Sequence, residues 1–357
     1  MSASGRSGGR LVGALAAALA VAALAAPATA IAERGADPLS LGPIPPRPAA
    51  GPVRDTVLDR GGLSRLRSRS SSVAREYEDG DGHSISIEVS RSYSNRMQVA
   101  RRLATFLGTL LHGDEMGQLS ATVATPAEIR HLCGSGALAC YSPTAEQMVV
   151  SGEEASPGEP PRELVIAHEY GHHVATNRSN RPWSALDRGT KRWATHEGIC
   201  RGIERRTIRP SRYFENPGEA FAEAFAFYHY PAVIRWQWEI ARPDAGALDA
   251  ILADVSFPWT RRTSVAWSGE LDRRGPRDVM RVETPLDGRI KLRLDGPRGA
   301  DFDLALLAAR RGRVLDRASG PGPDHILRHT VCGRRAVRVA VVRDRGHGTF
   351  DVTVARP

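Results

Sequence analysis

The run Leu164-Val165-Ile166-Ala167-His168-Glu169-Tyr170-Gly171-His172 contains the pattern His-Glu-x-x-His. On a helix, residues four apart share one face, so His168 and His172 can each offer an imidazole nitrogen to one metal ion. Glu169 sits beside them, where its carboxylate can take a proton from a water held on that metal. Val165, Ile166, Ala167 and Val174 keep the segment apolar outside the motif, as a buried helix requires. At this composition the pattern arises by chance in roughly one chain in fifty. The plain alternative is two core histidines bonded to their neighbours.

A hydrolytic metal centre needs a third protein ligand and one open position. A third histidine in the extended His-Glu-x-x-His-x-x-Gly-x-x-His pattern is excluded, because Ala175 and Arg178 occupy those positions. An aspartate downstream of Gly189-Thr190 is excluded as well, because Thr195 stands where it would be. The remaining source is the segment Asn216-Pro217-Gly218-Glu219-Ala220-Phe221-Ala222-Glu223. Glu219 and Glu223 are again four apart, so one can ligate while the other orients a histidine through its second ring nitrogen. Glu219 is assigned as the ligand and Glu223 as the orienting group. A competing role exists for Glu219: after Asn216 as N-cap and Pro217 as first residue, it falls where it would close a capping box. Glu223 would then ligate. His173 points about 100° around the helix from His172 and is read as a non-ligand. Phe221, Phe225, Trp236 and Trp238 are read as core.

The two motifs together, His168-Glu169-x-x-His172 and Glu219-Ala-Phe-Ala-Glu223, resemble the gluzincin metallopeptidases. The second is similar to that of the anthrax lethal factor type and more loosely to the Glu-x-x-x-Asp of thermolysin. The resemblance covers about residues 160–230. It implies an α+β zincin-like catalytic domain, with Zn²⁺ on His168, His172 and Glu219, and peptide-bond hydrolysis by a zinc-held water that Glu169 activates. Glu223 stands where thermolysin has Asp, so that enzyme's substrate preference does not carry over. The same resemblance makes Tyr213, shortly before the glutamate helix, the candidate for stabilising the oxyanion; a packed loop tyrosine is the alternative. It also implies that the strand Gln147–Val150 runs beside a protein or peptide substrate. Two other functions fit the motifs: a non-catalytic zinc-scaffold binding or adhesion protein, and a zinc hydrolase of a non-peptide substrate.

The elements that must position these residues follow from pattern. Ile85, Ile87 and Val89 alternate as a strand within His83–Ser90, and Asn95 is placed to cap a helix running to about His112. Strands are expected at Ser120–Ala124, Leu138–Tyr141 and Gln147–Val150, with a short helix opened by Thr125-Pro126. Helices are expected at Glu163 to about Thr176, Pro217 to about Tyr230 and Asp244–Val255. After Pro276, short alternating runs with turn residues between them argue a small all-β sandwich over 276–357. Phe302-Asp303-Leu304 and Gly346-His-Gly348-Thr-Phe350-Asp-Val352 there resemble the bacterial pre-peptidase C-terminal domains. Asp301 and Asp303 are read as strand-edge polar residues rather than calcium ligands. The catalytic domain is assigned to 76–275.

The 357 residues carry a net charge of +9, with arginine supplying 47 of the 49 basic residues. The arginines are dispersed among acids with no aromatic-basic stripe, which argues against nucleic acid as a partner. One long apolar stretch exists, so a multi-pass membrane protein is excluded. Residues 1–30 read as a secretory signal: Arg6 and Arg10, the run Leu11–Ala26, the break at Pro27, then Ala28-Thr29-Ala30. An uncleaved anchor is the alternative, although the run is short for a span. A secreted protein without stable membrane insertion is therefore expected. Export places Cys133, Cys140, Cys200 and Cys332 in an oxidising compartment. A Cys133–Cys140 bridge is expected across one turn, leaving Cys200 and Cys332 to pair or stay free; no Cys-x-x-Cys site exists. Residues 31–75, rich in Pro, Gly, Arg and Ser, read as a linker or pro-segment.

Overall fold

The computed structural model describes residues 53, 55–57, 75–78 and 81–357. The expected signal at 1–30 lies outside the described residues. So does most of 31–75. The first half is built on a five-stranded sheet of β1 (Arg75–Glu78), β2 (Ser84–Val89), β3 (Ser120–Ala124), β4 (Cys140–Ser142) and β5 (Gln147–Ser151). Their order is β1-β2-β3-β5-β4. The β2/β3 and β3/β5 pairs are parallel, while β1 and β4 join antiparallel. Parallel neighbours need crossovers, supplied here by α1 (Arg96–Leu107) between β2 and β3 and α2 (Pro126–Cys133) between β3 and β5.

Capping chemistry explains where these helices begin. Thr125 and Glu128 close a capping box at α2, with Pro126 in the first turn. Asn95 precedes α1 but makes no side-chain cap, and α1 ends at Leu107 rather than near His112. Gly108 and the turns that follow it carry Leu110 into the core instead.

The helices α3 (Arg162–Thr176), α4 (Lys191–His196), α5 (Ile199–Glu204), α6 (Pro217–His229) and α7 (Ala245–Ser256) follow in this half, with the two-residue strands β6 (Ser179–Asn180) and β7 (Trp183–Ser184) and a single helical turn, Ala185–Arg188, between α3 and α4. Every α3 residue from Arg162 to Ala175 is buried, as is α6 from Pro217 to Phe227. A helix buried on all sides must be apolar almost throughout, or hold its charges in partnered or functional positions. Asp244 caps α7, its carboxylate accepting from Ala247 N at 2.8 Å.

The second half is a sandwich of two antiparallel four-stranded sheets, and it starts at Thr263 rather than at the expected 276, because the first strand pairs with the last. One has the order β13 (His325–Val331), β10 (Gly288–Asp295), β15 (Gly348–Arg356), β8 (Thr263–Leu271). The other has the order β12 (Val314–Ala318), β11 (Asp301–Ala308), β14 (Arg335–Arg345), β9 (Arg277–Thr284). Ile290, Leu292 and Leu294 alternate inward along β10 and meet Phe302, Leu304, Val339 and Phe350 in one core. Two disulfides are formed, Cys133–Cys140 and Cys200–Cys332. The second ties α5 to the end of β13. Beside it the buried Asp287 accepts from Gly333 N through its carboxylate, while its own N–H donates to Thr195 Oγ1 at 3.0 Å. These bridges suit an oxidising, non-cytosolic compartment. Among the described residues, no helix is long and apolar enough to cross a membrane.

Candidate metal centre

Two helices deliver the site, and a glycine sets how closely they approach. A Cβ on Gly171 of α3 would stand 2.8 Å from Ala222 Cα and 3.1 Å from Ala222 O in α6. Only a residue without a side chain lets the backbones meet at that distance. The contact sits one residue from His172 in α3 and one from Glu223 in α6, so it brings the two motifs together.

The α6 start separates the two readings of Glu219. Asn216 Oδ1 accepts from Gly218 N at 2.9 Å, which caps the helix without help from Glu219. Glu219 is free to turn toward α3. Its Oε2 lies 3.6 Å from both His168 Nε2 and His172 Nε2. Glu223 Oε2 lies instead 3.0 Å from His168 Nδ1. That contact holds His168 with Nε2 directed into the site.

The fourth group comes from far away in the chain. Asp55 Oδ2 is 3.2 Å from His172 Nε2 and 3.8 Å from His168 Nε2. The donor atoms of Asp55, His168, His172 and Glu219 all lie within 4.8 Å of one another, a group able to hold one metal ion. The fit can be tested on the polar atoms themselves. Asp55 Oδ2, His168 Nε2, His172 Nε2 and Glu219 Oε2 are all buried, and none has a hydrogen-bond partner. A buried polar atom left unpaired costs about 1–3 kcal/mol. A cation among these four atoms would satisfy all of them at once.

The close packing of these groups shifts their protonation. Glu169 is wholly buried, and neither of its carboxylate oxygens has a partner. Burial, and next the Asp55 carboxylate, raise its pKa well above the ordinary range. Burial works against a charge on His172, yet Glu219 and Asp55 override it and lift its pKa to about 10. Burial would likewise raise Glu219, but His172 and His168 overcome it and hold the carboxyl below its usual range. The carboxyl groups of Asp55, Glu169, Glu219 and Glu223 thus crowd two imidazoles in a buried space, where a divalent cation would favour ionised carboxylates and neutral imidazoles.

Tyr213 lies in a short 3-10 turn just before α6. Its hydroxyl donates to the Val53 carbonyl oxygen at 2.7 Å and reaches Asp55 Oδ1 at 3.3 Å. Burial, then Asp55, raise its pKa, so the hydroxyl keeps its proton. Its ring packs on Trp238, which is buried, as are Phe221 and Phe225; Trp236 is half-buried.

His173 does not face the site. Its Nε2 donates to the Glu115 carbonyl at 2.8 Å, so its Nδ1 accepts from Tyr141 Oη at 3.1 Å. Burial lowers its pKa, consistent with a neutral ring. The Glu115 carboxylate takes Tyr170 Oη at 3.0 Å and Arg178 Nη2 at 2.5 Å. This network braces the back of α3, and no motif announced it.

One expected placement is corrected. Residues 147–149 of β5 are paired on both edges, with β3 and with β4, so this part of the strand has no free edge for a substrate. The outer strand is β4, where Val57 bridges Tyr141 in parallel. Asp55 itself escaped the sequence reading. The signal was the apolar pair Val53 and Val57 flanking an acid within a Pro- and Arg-rich stretch. Asp301 and Asp303 are buried on β11, an inner strand of the sandwich, where they pair with Arg345 and Arg317 and lie with His325 in a second group able to hold a metal ion.

No family model matches this sequence. No curated protein matches it either. Among solved structures, the chain is similar to the pre-peptidase C-terminal domain of a collagenase from Bacillus anthracis, at 16% identity over 26% of this chain and 89% of that one, with a TM-score of 0.23. It is also similar to the Yersinia pseudotuberculosis-derived mitogen, at 13% identity over 27% of this chain and 87% of that one, TM-score 0.22. A third is a periplasmic inhibitor of g-type lysozyme from Aeromonas hydrophila, at 10% identity over 26% and 86%, TM-score 0.20. Likenesses of this size describe about a quarter of the chain and leave its chemistry to be argued from the metal centre.

Proposed function

We propose that the chain is a secreted zinc-dependent endopeptidase of the gluzincin kind, its catalytic centre on a zincin-like half and its C-terminal sandwich an accessory domain of the pre-peptidase C-terminal type. The observation that carries this reading is the convergence of unpartnered His168 Nε2, His172 Nε2 and Glu219 Oε2 beside the unpartnered carboxylate of Glu169. Imidazole and carboxylate donors in a buried set suit Zn²⁺. Bound there, the ion would supply Lewis acidity toward a peptide carbonyl and make a water acidic at neutral pH.

The chain's own residues do the rest. Glu169 accepts the proton of the attacking water as the water oxygen bonds to the carbonyl carbon. It then returns that proton to the departing amide nitrogen as the C–N bond breaks. Burial beside other carboxylates raises its proton affinity, which suits a group that must first take the proton from water. Tyr213 donates a hydrogen bond to the carbonyl oxygen as negative charge gathers there. A main-chain carbonyl, that of Val53, is what its hydroxyl holds at 2.7 Å. Glu223 keeps His168 in one orientation.

The test is peptide cleavage by purified wild-type protein and Glu169→Gln, with bound metal measured in both. The reading predicts that chelator stops cleavage, and that Glu169→Gln keeps its metal while losing about 10²–10⁴ in rate. Cleavage by Glu169→Gln at a measurable rate equal to that of the wild type would refute it.

A further inference from the structure

We infer that Asp55 is a fourth protein ligand of the same ion, and that it and its described neighbours Val53 and Val57 occupy the place of a substrate peptide and hold the intact chain inactive. The inference rests on the peptidase reading above and adds a regulated state to it. A catalytic metal keeps one position open, whereas four protein ligands close it. His168, His172 and Glu219 supply three donors, and Asp55 Oδ2 fills the remaining corner at 3.2 Å from His172 Nε2. The Asp55 side chain is fully buried there.

The flanking residues are seated as a bound peptide would be. The Val53 carbonyl takes the Tyr213 hydroxyl, the donor assigned to a substrate carbonyl. Asp55 Oδ1 lies 3.3 Å from the same hydroxyl. Val57 bridges Tyr141 on β4, adding backbone to the outer strand of the sheet. The Val53 side chain is buried within the main core. One short segment thus engages the metal corner, the oxyanion donor and the sheet edge together. A substrate cannot reach any of the three until the segment leaves. Seventeen residues, 58–74, join Val57 to β1, so a chain break beyond Val57 would free the segment from the catalytic half.

The test uses the full chain loaded with Co²⁺, whose visible absorption responds to ligand number and type, comparing wild type with Asp55→Asn and Asp55→Ala. Asparagine keeps the shape of the side chain and removes its charge, which guards against a folding defect. Ligation by Asp55 predicts an altered Co²⁺ spectrum in both variants. Inhibition predicts at least a tenfold rise in cleavage of a fluorogenic peptide library, with a synthetic peptide of residues 51–59 inhibiting the variants. Spectra identical to wild type, or variants that cleave no faster than an active wild type, would overturn the inference. A changed spectrum with no cleavage by any variant upholds the ligation and instead sinks the peptidase reading, leaving a closed structural site. Repeating Glu169→Gln in the Asp55→Asn background separates the two failures.

Discussion

At the level of single residues, the site divides its labour by which atom each side chain leaves free. His168 spends Nδ1 on Glu223 and presents Nε2. Glu219 spends nothing on its own helix start because Asn216 caps it. Glu223→Ala should therefore weaken metal binding by about 10–100-fold without abolishing it. Competition with a chromophoric chelator would show this, and an unchanged affinity would remove Glu223 from its orienting role. The histidine pair and both glutamates were legible in the sequence because helical spacing of four carries geometric information. Which glutamate faces the ion was not, since Asn216-Pro217-Gly218-Glu219 also reads as a capping box. Asp55 was not legible either, because a ligand carried on an irregular segment has no spacing to betray it.

Among the elements, the decisive contact is between α3 and α6. Alanine is favoured over glycine inside a helix by about 1 kcal/mol. At Gly171 that gain is opposed by a Cβ that would meet Ala222 backbone at 2.8 Å. Backbone cannot give way as a flexible side chain can, and overpacking costs typically 1–3 kcal/mol. Gly171→Ala should therefore lower stability and also weaken metal binding, because the helices would carry His172 and Glu219 apart. Thermal unfolding with and without metal would read both effects; a more stable variant with intact metal affinity would contradict the packing argument. The helices themselves were visible from their apolar runs and caps. Their closeness was not, because Gly171 lies inside the motif like any variable position. The sheet edge was misread for a related reason: β4 is only three residues long, Cys140–Ser142, too short for an alternation to stand out.

Across the whole molecule, one ion position gathers three stretches separated in sequence, around Asp55, at α3 and at α6. The sandwich is locked to this half through Cys200–Cys332 and through Asp287, which is bonded to Thr195 and Gly333. Alternation along β10 and β15 made the sandwich legible, since each inward residue is apolar and each outward one polar or small. Its attachment was not, because Thr195 and Asp287 are ordinary polar residues until the fold buries them together. The account as a whole stands on a single bound cation. Metal analysis of the full chain after exhaustive dialysis, beside Glu219→Ala, tests it most directly. The account predicts about one equivalent of zinc in the wild type and little in Glu219→Ala. A wild type without bound metal, or a Glu219→Ala variant as fully loaded as the wild type, would contradict it.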